Sequence, residues 1–304
     1  MTIQAALLEG KRLLKSPCPE AFIDTPELDA ALLLAETLHI SREELILRGD
    51  ESIAEAESAH YISFLERRRS GECIAYILGR KEFRGLEFTV NSTVLVPRPE
   101  TEILLETALD YIDSLAEREV CSTSVLDLCT GSGALAVSLK SERPFLHVTA
   151  TDVSGEALEI AAHNAARLLE DRQRFSDGHS VDFIQNIRFI QSDLFESIDK
   201  QNEKFNIIIS NPPYIPTEKL SALAPELQME PRLALDGGVD GMALIRKIIS
   251  RTRDHLLPGG VLMLEAAPEQ MPEIKTLLEN NRFGDVTVRK DLARRERVIS
   301  GRNR

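Results

Sequence analysis

The sequence predicts an α/β fold, a mostly parallel sheet with helices on both faces, preceded by a small helical bundle. Three observations carry that expectation. Residues 1 to about 80 repeat apolar side chains at helical spacing only. From about residue 124, short apolar runs alternate with helical patterns. One of those runs, Phe205-Asn206-Ile207-Ile208-Ile209-Ser210, ends abruptly in Asn211-Pro212-Pro213-Tyr214. Prolines donate no backbone N–H and hold the chain extended, so the carbonyls of this corner cannot all join a sheet ladder. An aromatic ring stands beside them. Such a corner can grip a planar group that carries an NH2, a carboxamide or a nucleobase amine.

The helical region reads element by element. Thr25 before Pro26 is a helix start, followed by Leu28, Ala31, Leu32, Ala35 and Leu38 at helical spacing. Ser41-Arg42-Glu43-Glu44 and Ser52-Ile53-Ala54-Glu55 read as capping boxes. The second opens a helix through Tyr61, Phe64 and Leu65 to Arg69, stopped near Gly71, and a short helix over Ile74 to Leu78 follows. Arg67-Arg68-Arg69 reads as a solvated helix end favoured by the dipole. Residues 81–98 change period. Phe83, Leu86, Phe88 and Val90, then Val94, Leu95 and Val96, flank Asn91-Ser92-Thr93 as a β-hairpin joining the two regions.

After a helix with Ile103, Leu104, Ala108, Leu109 and Ile112 on its buried face, the expected strands are Ser124 to Cys129, His147 to Asp152, Ile187 to Asp193, Phe205 to Ser210 and Gly260 to Glu265. Asp285 to Lys290 and Arg297 to Ser300 form a closing pair. Helices are expected over Glu156 to Leu169 and Gly241 to His255, and a polar loop over Asp171 to Asp182.

Composition bounds the function. The 304 residues are 43% hydrophobic and 28% charged, ordinary for a soluble protein with real cores. No apolar run approaches the roughly 18 residues of a membrane span. The first residues show no basic stretch leading into an apolar core, so no secretory signal is expected. The formal net charge of −13 argues against a tight nonspecific grip on nucleic-acid backbones. Cys18, Cys73, Cys121 and Cys129 show no metal-ligand spacing and are expected as free thiols in a reducing cytoplasm, with no metal.

Ligands of such sheets bind beyond the carboxyl ends of the strands. Cys129-Thr130-Gly131-Ser132-Gly133, after the first strand, lets backbone approach a ligand. Ala136, three residues after Gly133, keeps a dinucleotide reading open. Asp152 ends the second strand, about 20 residues on, where an acid suits the hydroxyls of a ribose. Ser154 can cap the next helix unaided, which frees Asp152 for a ligand. Asp193-Leu194 ends the third strand, where an acid beside an apolar side chain suits an adenine.

An adenosine-shaped site and an Asn-Pro-Pro-Tyr corner on one edge resemble the class I S-adenosylmethionine-dependent methyltransferases of planar NH2 nitrogens. Within that class the chain resembles the release factor glutamine methyltransferases over nearly its whole length. The marks are Phe83-Arg84-Gly85-Leu86-Glu87-Phe88, Val96-Pro97-Arg98-Pro99-Glu100-Thr101-Glu102, the stretch from Glu230 to Gly238, and Asp291-Leu292-Ala293 with Arg297-Val298. The related ribosomal-protein glutamine methyltransferases diverge at the Pro-Arg-Pro-Glu-Thr-Glu stretch.

The resemblance implies a Rossmann-like, seven-stranded methyltransferase sheet over 99–304, a helical substrate-docking domain over 1–80 and a β-hairpin linker over 81–98. It implies methyl transfer to the side-chain amide of the glutamine in the Gly-Gly-Gln motif of bacterial peptide chain release factors. It implies S-adenosylmethionine as cofactor, held by Cys129 to Gly133, Asp152, Asp193, Leu194 and Asn211, and substrate held by Asn211 to Tyr214. A cytoplasmic monomer without stable nucleic acid or membrane is expected. Three departures stand out: Cys129 where the glycine loop usually begins with Gly, Leu194 in place of an aromatic, and no glycine directly after Glu265.

An amide nitrogen is a weak nucleophile, and no side chain here looks like a strong base for it. Asn211 Oδ1 and the Pro212 carbonyl can accept its two N–H bonds, and Tyr214 can pack on the flat carboxamide. Catalytic roles therefore fall to Asn211, Pro212 and Tyr214. Other readings of the same residues are an adenine-N6 or cytosine-N4 nucleic-acid methyltransferase, which would have to extrude its base, a noncatalytic cofactor-binding regulator, and a dinucleotide oxidoreductase.

Overall fold

A computed structural model describes residues 1–15, 23–115, 123–173 and 187–304. Cys18, Cys121 and most of the stretch expected as a polar loop lie outside the described residues. The chain divides into two compact units, one of Met1–Arg80 with Ser221–Glu230, the other of Lys81–Leu220 with Pro231–Arg304.

The first unit is helical: α1 (Ile3–Leu14), α2 (Pro26–Leu38), α3 (Arg42–Leu47), α4 (Glu55–Arg69) and α5 (Ile74–Leu78), with a short helix over Pro225–Gln228. Its core gathers Ile3, Leu14, Leu33, Leu34, Leu45, Tyr61 and Leu65. Ser41 caps α3 through a complete capping box, its hydroxyl accepting from the Glu44 N–H while Glu44 accepts from the Ser41 N–H. Before α4 only half of a box forms, two residues later than the sequence suggested: the Ala54 N–H donates to Glu57 Oε2 at 2.8 Å, and Ala54 has no side-chain oxygen to return the bond. The arginine run also differs from its reading. Arg68 is buried, and its guanidinium meets Asp29 Oδ2 at 2.7 Å and Glu226 Oε2 at 3.0 Å. Sequence periodicity does not show that the last turn of α4 points an arginine at an acid on α2.

A two-stranded hairpin follows, β1 (Arg80–Phe83) and β2 (Leu86–Thr89), lying in the second unit from Lys81 on. Its turn falls at Arg84-Gly85, both at positive φ, and not at Asn91–Thr93. Those later residues form an Asx turn in which the Thr93 N–H donates to Asn91 Oδ1 at 2.9 Å. A Gly able to take positive φ outweighed the polar run as the turn signal.

Then follow α6 (Thr101–Asp113), β3 (Ser124–Leu128), α7 (Ala134–Glu142), β4 (His147–Asp152), α8 (Gly155–Gln173), β5 (Ile187–Gln191), α9 (Glu196–Asp199), β6 (Phe205–Ser210), α11 (Ala243–His255; α10 is the Pro225–Gln228 helix), β7 (Leu256–Glu265), α12 (Met271–Asn280), β8 (Phe283–Lys290) and β9 (Glu296–Asn303). They build a seven-stranded sheet in the order β5-β4-β3-β6-β7-β9-β8, parallel except for β9. Period-2 alternation sends Leu126, Leu128, Ile208, Leu262 and Leu264 to one face, where they pack with Ile245, Ile248 and Ile249 of α11 and Ile274 and Leu278 of α12. The helix expected from Gly241 starts at Ala243. Among the described residues no helix is long and apolar enough to cross a membrane.

Candidate active site

Strand order reverses at β3, whose neighbours are β4 and β6, and a crevice opens beyond the carboxyl ends of the strands there. It holds a cavity of about 270 Å³. Cys129, Gly131, Asp152, Asp193, Leu194, Asn211 and Pro213 line it, so loops after four successive strands of the sheet converge on one space.

Asp152 sits where β4 ends. It accepts the Gly131 N–H on Oδ2 and the Ser154 N–H on Oδ1, both at 2.9 Å. Burial pushes its carboxyl above the usual range, and these N–H bonds pull the other way. Ser154 caps α8 with its own hydroxyl, accepting from the Ala157 N–H at 3.2 Å. The glycine loop divides its work. Gly131, at φ +56, faces open space where a Cβ would meet no atom within 4 Å. Gly133 serves packing, because a Cβ there would stand 3.1 Å from Ala161 Cβ on α8. The Thr130 hydroxyl donates to buried Asp127 at 2.6 Å, and the Ser132 carbonyl accepts from Asn164 Nδ2 at 2.9 Å. Thr130, Ser132 and Gly133 therefore stand behind the wall and hold it. Cys129 adopts φ +60, the left-handed region that favours glycine. Burial, and then the nearby Asp152, push its thiol pKa up, which keeps it neutral. Leu194 is likewise left-handed, at φ +49.

Asn211 is half-buried, and its Nδ2 donates to Thr101 Oγ1 at 3.0 Å. Pro213 lines the cavity beside it. Pro212 is buried and Tyr214 packs against the α11–α12 core. Burial raises the Tyr214 hydroxyl to about 12, so it stays neutral. The backbone of this corner is clamped. Gln270 Nε2 donates to the Tyr214 carbonyl at 3.0 Å, the Ile215 N–H donates to Leu235 O at 3.0 Å, and the Gly237 N–H donates to Ile215 O at 2.8 Å. The stretch from Glu230 to Gly238 thus carries two jobs: Pro231, Leu233 and Ala234 line the cavity, and its end braces the Asn-Pro-Pro-Tyr turn.

Residues beyond the sequence-based set also contribute. Ser92 to Leu95, on the loop after β2, form part of the cavity wall. Thr101 touches Asn211, whereas its neighbours turn elsewhere: Glu100 meets Arg295 at 3.4 Å, and Glu102 accepts the Arg84 N–H at 3.4 Å. The Pro-Arg-Pro-Glu-Thr-Glu stretch was the available signal, but nothing in it singles out the threonine. Among the described residues no group of three His, Cys, Asp or Glu side chains could hold a metal ion.

Comparison with known proteins agrees with this architecture. Residues 6–79 match the PrmC N-terminal domain family and residues 107–238 the methyltransferase small domain family. The release factor glutamine methyltransferase of Burkholderia pseudomallei is 43% identical over 275 residues, covering 90% of this chain and 91% of the relative. That of Clostridium acetobutylicum is 34% identical, covering 98% of each. Among solved structures, the hMettl16 catalytic domain in complex with the MAT2A 3'UTR hairpin 6 shares the fold at a TM-score of 0.52 and 12% identity, over 81% of each chain. With identity of this level across nine-tenths or more of both chains, and a strand-end crevice that ends in Asn-Pro-Pro-Tyr, this chain belongs to the release factor glutamine methyltransferase family.

Proposed function

We propose that this protein transfers a methyl group from S-adenosylmethionine to the side-chain amide nitrogen of the glutamine in the Gly-Gly-Gln motif of bacterial peptide chain release factors. One observation carries the reading. One N–H of the Asn211 amide is given to Thr101 at 3.0 Å, which turns the Asn211 oxygen away from Thr101 as an acceptor at the edge of a crevice suited to adenosine.

The residues fit the cofactor. Gly131 leaves open space that a side chain would fill. Asp152 has both carboxylate oxygens oriented by backbone donors and retains lone pairs for ribose hydroxyls. Asp193 and Leu194 offer an acceptor and an apolar surface for adenine. Cys129 to Gly133 supply the loop, with Thr130, Ser132 and Gly133 supporting it from behind. Bound S-adenosylmethionine supplies a methyl group on a sulfonium sulfur, an activated donor.

The chain's own contribution is positioning. Asn211 Oδ1 and the Pro212 carbonyl accept the two N–H bonds of the substrate carboxamide, and Tyr214 packs on its plane. The substrate nitrogen gains one N–C bond and gives up one proton to solvent, while the S–CH3 bond of the bound donor would break and S-adenosylhomocysteine would leave, so no side chain is assigned the role of base. Orientation of this kind contributes roughly 7–11 kcal/mol. The helical unit helps dock the protein substrate. On this reading the enzyme works as a cytoplasmic monomer without a stable nucleic-acid partner.

The test is mass spectrometry of a purified release factor after incubation with this protein and the methyl donor. One added methyl on the Gly-Gly-Gln glutamine is expected. Methyl transfer to nucleic acid, to a ribosomal protein alone, or to nothing would overturn the reading.

A further inference from the structure

Two groups behind Asn211 are not part of the cavity wall. Thr101, the first residue of α6, is buried, and its hydroxyl oxygen accepts the Asn211 Nδ2–H at 3.0 Å. The carboxylate of Glu265, the last residue of β7, lies beside the same hydroxyl, which opposes the rise that burial gives the Glu265 pKa. Glu265 is 1% exposed, and its Oε2 finds no hydrogen-bond partner among the described residues. A buried carboxylate with an unmet oxygen costs free energy to keep and calls for an explanation.

A threonine hydroxyl owns one hydrogen. When Glu265 takes it, the Thr101 oxygen can only accept, and the Asn211 NH2 meets that need. Turning the Asn211 amide by half a rotation would set two acceptors, Oδ1 and Oγ1, face to face. The donor order Asn211 to Thr101 to Glu265 thus leaves one amide orientation, with the carbonyl oxygen turned away from Thr101. We propose that Glu265, acting through Thr101, is the positioning residue that fixes the Asn211 side chain and presents its oxygen to the substrate carboxamide.

The inference rests on the amide-methylation reading for its catalytic consequence, but the orientation of Asn211 is a property of the protein alone. Burial raises the Glu265 carboxyl to about 7, opposed first by the Thr101 hydrogen bond and then by Arg297. The other charged or titratable groups facing it are Glu100 and Arg98 ahead of α6 and Tyr214 after β6. Below that pH the protonated carboxyl can donate to Thr101, whose own hydrogen is then free to turn to Asn211 Oδ1. The amide loses its single orientation, and turnover falls.

Two measurements test this. The first is 15N NMR of the Asn211 side-chain amide in the substrate-free protein, followed between about pH 6 and about pH 8. In the wild type the Asn211 NH2 signals move with pH, and in Glu265→Gln and Thr101→Val that movement is absent. The second is steady-state methylation of the release factor. Thr101→Val lowers kcat on the order of 100-fold, with KM and cofactor affinity within about threefold, and Thr101→Ser restores kcat to within about threefold. Full kcat in folded Thr101→Val, or unchanged movement of the Asn211 signals in Glu265→Gln, would overturn the proposal. A wild type inactive on release factors whose Asn211 signals still titrate through Glu265 would refute the activity reading while supporting this relay.

Discussion

Gly241 lies so close to Tyr214 that a Cβ built on it would stand 2.3 Å from the Tyr214 carbonyl oxygen. The same Cβ would stand 2.7 Å from Gln270 Nε2, and Gly241 holds φ at +77°. The Asn-Pro-Pro-Tyr turn is therefore seated on a glycine. Gly241→Ala must displace the Asn-Pro-Pro-Tyr backbone or the Gln270 clamp. The expected result is a loss of kcat on the order of 100-fold with cofactor affinity within about threefold. Single-turnover methylation and calorimetric titration of the cofactor check it, and an unimpaired kcat would show the turn to be pliable.

Asn211→Ala removes the acceptor on which the proposed mechanism relies and leaves the sheet edge intact. Cofactor affinity is expected to stay within about tenfold while methyl transfer is abolished. Normal turnover by this variant would end the mechanism given above.

Asp152→Ala strips the acceptor from two backbone donors, Gly131 and Ser154, and, on the proposed reading, from the ribose as well. An unsatisfied buried donor costs about 1–3 kcal/mol, so cofactor Kd should rise on the order of 10–100-fold and the melting temperature should fall. Unchanged affinity would move the ribose elsewhere in the crevice.

Asp127 gives the fold a pH signature. Burial raises its carboxyl from 3.8 to about 7, with the Thr130 hydrogen bond opposing. A folded pKa above the unfolded one means that the folded state holds the proton more tightly. Its stabilising effect is complete below about 3.8 and is lost as pH rises through about 7. Asp127→Asn removes that titration. The melting temperature of the variant relative to wild type should therefore climb as pH rises through this window. Parallel melting-temperature curves for the two proteins would remove Asp127 from the account.

Arg68 and Asp29 form a buried pair in the helical unit, with side chains 6% and 4% exposed. Removing one partner strands the other. Arg68→Met should cost about 3–5 kcal/mol, and adding Asp29→Leu should recover much of it. Urea unfolding followed by circular dichroism reads both values, and equal losses for the single and double variants would contradict the pairing.

The sequence by itself determined the sheet class, the strand that carries Asn211 to Tyr214, and the placement of Asp152 and Asp193 at strand ends. Periodicity and strand termini are local properties, and a parallel α/β sheet gathers its strand ends whatever the side chains do. Only the tertiary structure decided that Thr130 and Gly133 serve the wall from behind, that Arg68 is buried, and that Thr101 meets Asn211. Thr101 and Asn211 lie 110 residues apart, and their contact depends on where α6 rests against the sheet. Packing between distant segments, which fixes such contacts, leaves no periodic trace in a single chain.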